Sequence, residues 1–134
     1  MPEISGYHHA ALTVTDIDKS ADWYTEVLGF KKFKDFERDG FRKVLVVHPA
    51  SGTAFGLTDH GPRGSGDAFS ELRTGLDHLA FSVADRAALD AWQARLDELG
   101  VDHSAIKPSA AGDVIVFRDP DNVQLEVYAA NASD

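Results

Sequence analysis

GLDHLAFSVAD, residues 75–85, repeats a pattern already present 69 positions earlier in GYHHAALTVTD, residues 6–16. Glycine opens each stretch, histidine stands fourth, and aspartate closes it. A duplicated core strand needs duplicated apolar residues, but packing alone gives no reason to duplicate an imidazole. The copy extends outward in the same register, pairing Ala11 with Ala80, Val14 with Val83 and Trp23 with Trp92. Past the tryptophan the offset becomes 71, matching Gly29 with Gly100 and Pro49 with Pro120, as though the second helix were about half a turn longer. After a one-residue slip at Gly52, TAFGLTD lies over VQLEVYA at offset 70. The chain therefore reads as two copies of one module, a self-similarity that takes precedence over any local assignment.

Each copy has the same internal order. Alternating apolar positions in HHAALTV and HLAFSV predict strands, and Asp16 and Asp85 are suited to cap the helices that follow. In the first helix Ile17, Ala21, Tyr24 and Leu28 form an apolar stripe ended by Gly29; in the second, Leu89, Trp92, Leu96 and Leu99 do so before Gly100. Three short strands complete each copy, with turns at Asp39-Gly40 and at DPDN, residues 119–122. The module is βαβββ and the fold class α+β with mixed sheets. One domain is expected over residues 1–134, with module 1 at about 5–58, a connection at about 59–74 and module 2 at about 75–130. The connection, DHGPRGSGDAFSELRT, has three glycines and a proline without periodicity and is expected to be exposed and mobile.

Composition bounds the function. With 134 residues and 43% apolar content the chain can bury one sizeable core. A net charge of −9 leaves no basic footprint for nucleic acid or an anionic membrane surface, so neither is an expected partner. Without cysteine, any metal must be held by His, Asp or Glu. MPEISGYHH lacks the basic and apolar blocks of a signal peptide, and no apolar run approaches a membrane span, so the expected location is cytoplasmic.

Strand periodicity says where the chemistry points. His9, Ala11 and Thr13 share one face of the first strand, and His78, Ala80 and Ser82 share the matching face of the other module. The larger apolar side chains take the opposite face and pack under the helix, leaving room beside the imidazoles, as in a cavity lining. In the last strand Leu125 and Val127 take the packed face, which sends Gln124, Glu126 and Tyr128 to the other. A carboxylate there needs a compensating charge, and a cation is sufficient. Two imidazoles and one carboxylate, His9, His78 and Glu126, are the ligand set that holds Fe(II) with open positions and also suits Mn, Co, Ni or Zn. The repeat equivalent of Glu126 is Gly56, which has no side chain to contribute. His8, beside His9 but of opposite parity and equivalent to Asp77, is the local rival ligand.

HHAALTVTDIDKSADWYTEVLGF, GLDHLAFSV and FRDPDNVQLEVY together resemble the vicinal oxygen chelate superfamily, which includes glyoxalase I, fosfomycin-resistance enzymes, bleomycin-resistance proteins and extradiol dioxygenases. The resemblance implies that the paired modules form a half-barrel of curved sheets around a divalent metal. It places ligands at His9, His78 and Glu126, and it implies a homodimer. Glyoxalase I uses a fourth protein ligand where this chain has Gly56, whereas fosfomycin-resistance enzymes and extradiol dioxygenases use His, His and Glu. Bleomycin-resistance proteins bind their drug without the triad. The resulting expectation is a metal-dependent enzyme acting on a small oxygen-chelating substrate, with iron(II) ahead of manganese, nickel, cobalt and zinc. Dioxygenase-type chemistry leads; a glyoxalase-like lyase, a thiol transferase and a non-catalytic drug-sequestering protein are the alternatives. Acid/base groups for the extradiol reaction are expected at His60 and Tyr128. His48 and His103 read as surface groups, Trp23 and Trp92 as core or interface aromatics, and Arg118 as the partner of a nearby acid.

Overall fold

Asp16 and Asp85 each follow a strand by a short link and cap the helix that comes next. Asp16 Oδ1 accepts from the Lys19 amide at 3.1 Å, and Asp85 Oδ1 accepts from the Ala88 amide at 2.8 Å, satisfying amides that no helical carbonyl reaches. The computed structural model describes residues 1–130, which fall into two units divided between Asp67 and Ala68. In the first unit β1 (Ala11–Thr13) leads through α1 (Ile17–Leu28) to β2 (Lys31–Arg38), β3 (Phe41–Val47) and β4 (Ala54–Asp59). The second has β5 (Leu79–Val83), α2 (Arg86–Glu98), β6 (Lys107–Ser109), β7 (Gly112–Arg118) and β8 (Gln124–Ala129). Each unit is βαβββ. An offset of 71 carries β3 onto β7, and an offset of 70 carries β4 onto β8, residue for residue.

The sheets share one topology. Strand orders β1-β4-β3-β2 and β5-β8-β7-β6 put the first strand of each unit beside its last, in parallel, with the remaining pairs antiparallel. The helix makes the crossover that such a parallel pair requires. Asp39 and Gly40 both have positive φ, 51° and 83°, which suits the two-residue connection from β2 to β3. At the β7–β8 turn Asp119 Oδ1 accepts from the amides of Asp121 at 2.9 Å and Val123 at 2.8 Å while Asn122 takes a φ of 68°.

The helix stripes bury as their spacing predicts in α1 and only partly in α2. Ile17, Ala21, Tyr24 and Leu28 are all buried, and the Tyr24 ring meets Phe55 edge-on at 5.0 Å and Phe30 at 6.4 Å. Each large core side chain so buried contributes roughly 1.5–3 kcal/mol. Leu89 and Leu96 are buried in α2, but Trp92 and Leu99 are only half covered. The physical difference lies in the sheet beneath: β6 has three residues where β2 has eight. Ion pairs tie each helix to its own sheet. Arg42 on β3 grips Asp18 of α1 through two contacts of 3.0 Å, and Arg86 of α2 reaches Asp113 on β7 at 2.9 Å. Among the described residues no helix is long and apolar enough to cross a membrane.

Candidate functional site

Alternation along β8 builds the core of the site. Leu125 and Val127 are buried against α2's side of the sheet, and Gln124, Glu126 and Tyr128 project from the other face and hydrogen-bond to one another. The β5–β8 register sets Ala80 beside Glu126 and Ser82 beside Tyr128, so the neighbouring strand offers small side chains there. Glu126 is 6% exposed. A carboxylate so placed needs donors, and it has them: the Tyr128 hydroxyl donates to Oε1 at 3.0 Å and the Gln124 amide donates to Oε2 at 3.2 Å. His78 Nδ1 lies 3.3 Å from Glu126 Oε2 and 2.7 Å from Asp77 Oδ1. Burial, and then the carboxylate of Glu126, push the Tyr128 phenol above its ordinary range, with Ser109 opposing the shift.

A second layer of contacts lies behind this group. Gln124 Oε1 accepts from Arg118 Nη2 at 3.0 Å, and the Arg118 fork holds both oxygens of Glu71 at 3.0 and 3.2 Å. The ion pair holds the Glu71 carboxyl below the usual carboxylate range. Further bonds pin the same segment to the β7–β8 turn: the Phe69 amide donates to the Asp121 carbonyl at 2.8 Å, and Asn122 Nδ2 donates to the Phe69 carbonyl at 3.0 Å. The expected acid partner of Arg118 is therefore Glu71, from the stretch that sequence periodicity left without structure. Strand parity placed Gln124 on the right face without a role, and nothing in the local sequence marked Glu71.

The first unit carries the other residues singled out by sequence. His8 and His9 precede β1 and are exposed, with their Nδ1 atoms 2.6 Å apart. The strand was expected to run through both. It starts at Ala11, and Ala10 joins the ladder only through its carbonyl, which accepts from the Gly56 amide at 3.0 Å. His78 likewise stands one residue ahead of β5. Ala11 pairs with Gly56 just as Ala80 pairs with Glu126, so the two registers make Gly56 and Glu126 equivalent. A Cβ at Gly56 would sit 3.3 Å from the Ala11 Cβ and 3.4 Å from Leu45 Cδ2, which leaves little room for a ligand there. His60 follows the end of β4, heads a short 3-10 helix at Gly61–Arg63 and tilts against Phe41 with ring centres 6.1 Å apart.

Two histidines depart from the surface role expected of them. His103 has only 12% of its side chain exposed, with Nε2 on Asp97 Oδ1 and Nδ1 on the Ser104 carbonyl. His48 is half-buried, edge-on to Phe30 at 5.6 Å. Both occupy chain positions just outside regular strands, where polarity alone suggested solvent.

Among the described residues no three His, Asp or Glu side chains gather closely enough to enclose a metal ion. Within the second unit, His78 and Glu126 supply one imidazole and one carboxylate side by side, a donor pair suited to a divalent cation.

The model of the Glyoxalase/Bleomycin resistance protein/Dioxygenase superfamily matches residues 6–127. The chain belongs to that superfamily. A superfamily domain from Frankia sp. EAN1pec, solved by crystallography, is 36% identical, with a TM-score of 0.86 over 98% of this chain and 96% of that one. Catechol-2,3-dioxygenase of Bacillus subtilis is 29% identical over 90% of this chain and 40% of its own length. The metallothiol transferase FosB of Shouchella clausii is 28% identical over 98% of this chain and 84% of its own. The chain spans only about two fifths of the length of the two dioxygenase relatives it matches in Bacillus subtilis. Superfamily membership agrees with the two tandem modules and mixed four-stranded sheets described above.

Proposed function

We propose that the chain is a divalent-metal enzyme acting on a small oxygen-bearing substrate that chelates the metal, with ring-cleaving dioxygenase chemistry as the leading reaction. The observation that carries the reading is the buried Glu126 carboxylate beside His78, facing away from the packed core, with one donor on each oxygen and lone pairs to spare. His78 and Glu126 would hold the cation together with His9. The bound metal would supply Lewis-acid polarisation of substrate oxygens and, as iron, a meeting point for substrate and dioxygen. The chain's own residues do the rest. Gln124 and Tyr128 orient the carboxylate, and Tyr128, kept protonated by its surroundings, holds a proton at its hydroxyl beside the substrate face. His60 is the remaining acid/base candidate. Ala80 and Ser82, the strand neighbours of Glu126 and Tyr128, bring only small side chains to that face. The likeness to catechol-2,3-dioxygenase supports this reading.

Thiol transfer is the second reading, and length favours it: the metallothiol transferase matches over 84% of its own chain, the dioxygenase over 40%. Open coordination from Gly56 suits both. A homodimer in solution is expected in either case, and light scattering checks it.

The deciding experiment is metal content after anaerobic purification, for wild type beside His9→Ala, His78→Ala and Glu126→Ala. Near-stoichiometric iron, lost in all three variants, with oxygen uptake on catechols, supports the dioxygenase. Manganese, nickel, cobalt or zinc with thiol-transfer activity supports the transferase. A metal-free wild type that resists reloading overturns both and leaves a sequestering protein.

A further inference from the structure

We propose that Gln124 is a positioning residue for Glu126, and that Glu71, acting through Arg118, fixes Gln124, so that the segment joining the modules sets metal affinity without touching the metal. The inference rests on reading Glu126 as a ligand. Its basis is the polarity of a chain of contacts within the second unit. The Gln124 amide has one donor end and one acceptor end, and its neighbours dictate which way it lies. Arg118 offers only donors and Glu126 only acceptors, so Oε1 must face the guanidinium at 3.0 Å and Nε2 the carboxylate at 3.2 Å. A flipped amide would oppose donor to donor at one end and acceptor to acceptor at the other.

The guanidinium is fixed in turn. Glu71 takes both Nη atoms, at 3.0 and 3.2 Å, and Nη1 also donates to the Asn122 carbonyl at 3.2 Å. Glu71 is held in reach because Phe69 is bonded to the β7–β8 turn through its amide, which donates, and its carbonyl, which accepts. Removing Glu71 leaves the fork held only by the Asn122 carbonyl and Gln124, which weakens the contact that selects the orientation of the Gln124 amide. With the Tyr128 hydroxyl on Oε1 and the Gln124 amide on Oε2, the plane of the carboxylate is held from both ends, and each oxygen keeps a lone pair for a cation. Partners that orient a ligand in this way typically change metal affinity by about 10–100-fold when removed.

The test uses the full chain, stripped of metal and titrated with Mn(II) by calorimetry, with the visible bands of the Co(II) form reporting ligand geometry. Gln124→Leu is expected to weaken Mn(II) by about tenfold or more and to shift the Co(II) bands. Glu71→Ala, on the connecting segment, is expected to weaken it by roughly threefold; Glu71→Gln, keeping one acceptor, should recover part of the loss. In the Gln124→Leu background, Glu71→Ala should add nothing, because its route to Glu126 is already cut. Melting curves of the metal-free variants separate these effects from lost folding. Wild-type Mn(II) affinity in both single variants, or losses that add in the double, would overturn the positioning role while Glu126→Ala still abolished binding. Wild-type affinity in Glu126→Ala would instead remove the ligand reading and this inference with it.

Discussion

Gly56 and Glu126 occupy one position of the repeat, and the side chains around each decide what that position can do. Around Glu126 the neighbour Ala80 is small and Tyr128 and Gln124 bring donors; around Gly56, Ala11 and Leu45 close in to within 3.4 Å of where a side chain would begin. Gly56→Glu is therefore expected to destabilise the fold by about 2 kcal/mol or more, read as a lower urea midpoint, without restoring a fourth ligand. His103 yields a prediction of opposite character. Both of its ring nitrogens meet acceptor oxygens, the Ser104 carbonyl and the Asp97 carboxylate, with Asp102 adding its field, and these raise its pKa. The imidazolium thus contributes stability that is complete below the unfolded value near 6.5 and is lost as pH rises through the higher folded value. Urea midpoints measured from pH 5 upward should fall across that window in wild type and lose this component in His103→Gln. The sequence revealed Glu126 and Tyr128 because a polar residue on the far side of a core strand is conspicuous. It hid His103, since solvent exposure outside regular strands depends on which element folds over the loop.

At the scale of elements, the signals that were legible are those set by a few consecutive residues. Aspartate before each helix, glycine after it, and Asp-Gly between β2 and β3 act through local geometry, so they can be read without knowing the sheet. Asp16→Ala and Asp85→Ala should each cost about 1 kcal/mol, visible as lowered Tm, with α1 and α2 retained in circular dichroism. Gly112, opening β7, is stricter: its φ is 130°, and a Cβ there would collide with the Ala129 carbonyl oxygen. Gly112→Ala should cost more than about 2 kcal/mol by the same measurement. Less legible were the starts of β1 and β5 and the brevity of β6, because strand bounds depend on how the chain pairs with a distant strand, which is information held elsewhere in the chain. The contacts of residues 69–71 with the β7–β8 turn belong to the same class.

For the whole molecule, metal binding and folding stability should be linked. A cation bound only by the folded chain stabilises it by about 2.7 kcal/mol at a free concentration 100 times its Kd. Mn(II) at that level should raise the Tm of wild type, leave Glu126→Ala unmoved, and have its effect reversed by a chelator. The duplication itself was the most legible feature, because identical offsets recur over long stretches of chain. It also creates a hazard that composition does not reveal: two similar helices and two similar sheets arise in one chain, and each helix has a wrong sheet available. The ion pairs that tie helix to sheet have opposite polarity in the two units, with arginine on the strand in one and on the helix in the other. Arg42 and Asp113 are repeat equivalents, but Asp18 and Arg86 sit one place apart in the first turns of their helices. Were the helices exchanged during folding, neither strand would recover an opposite charge at the place its own helix supplies one, so each half of the duplicated chain carries a mark that favours its own helix over its sibling's.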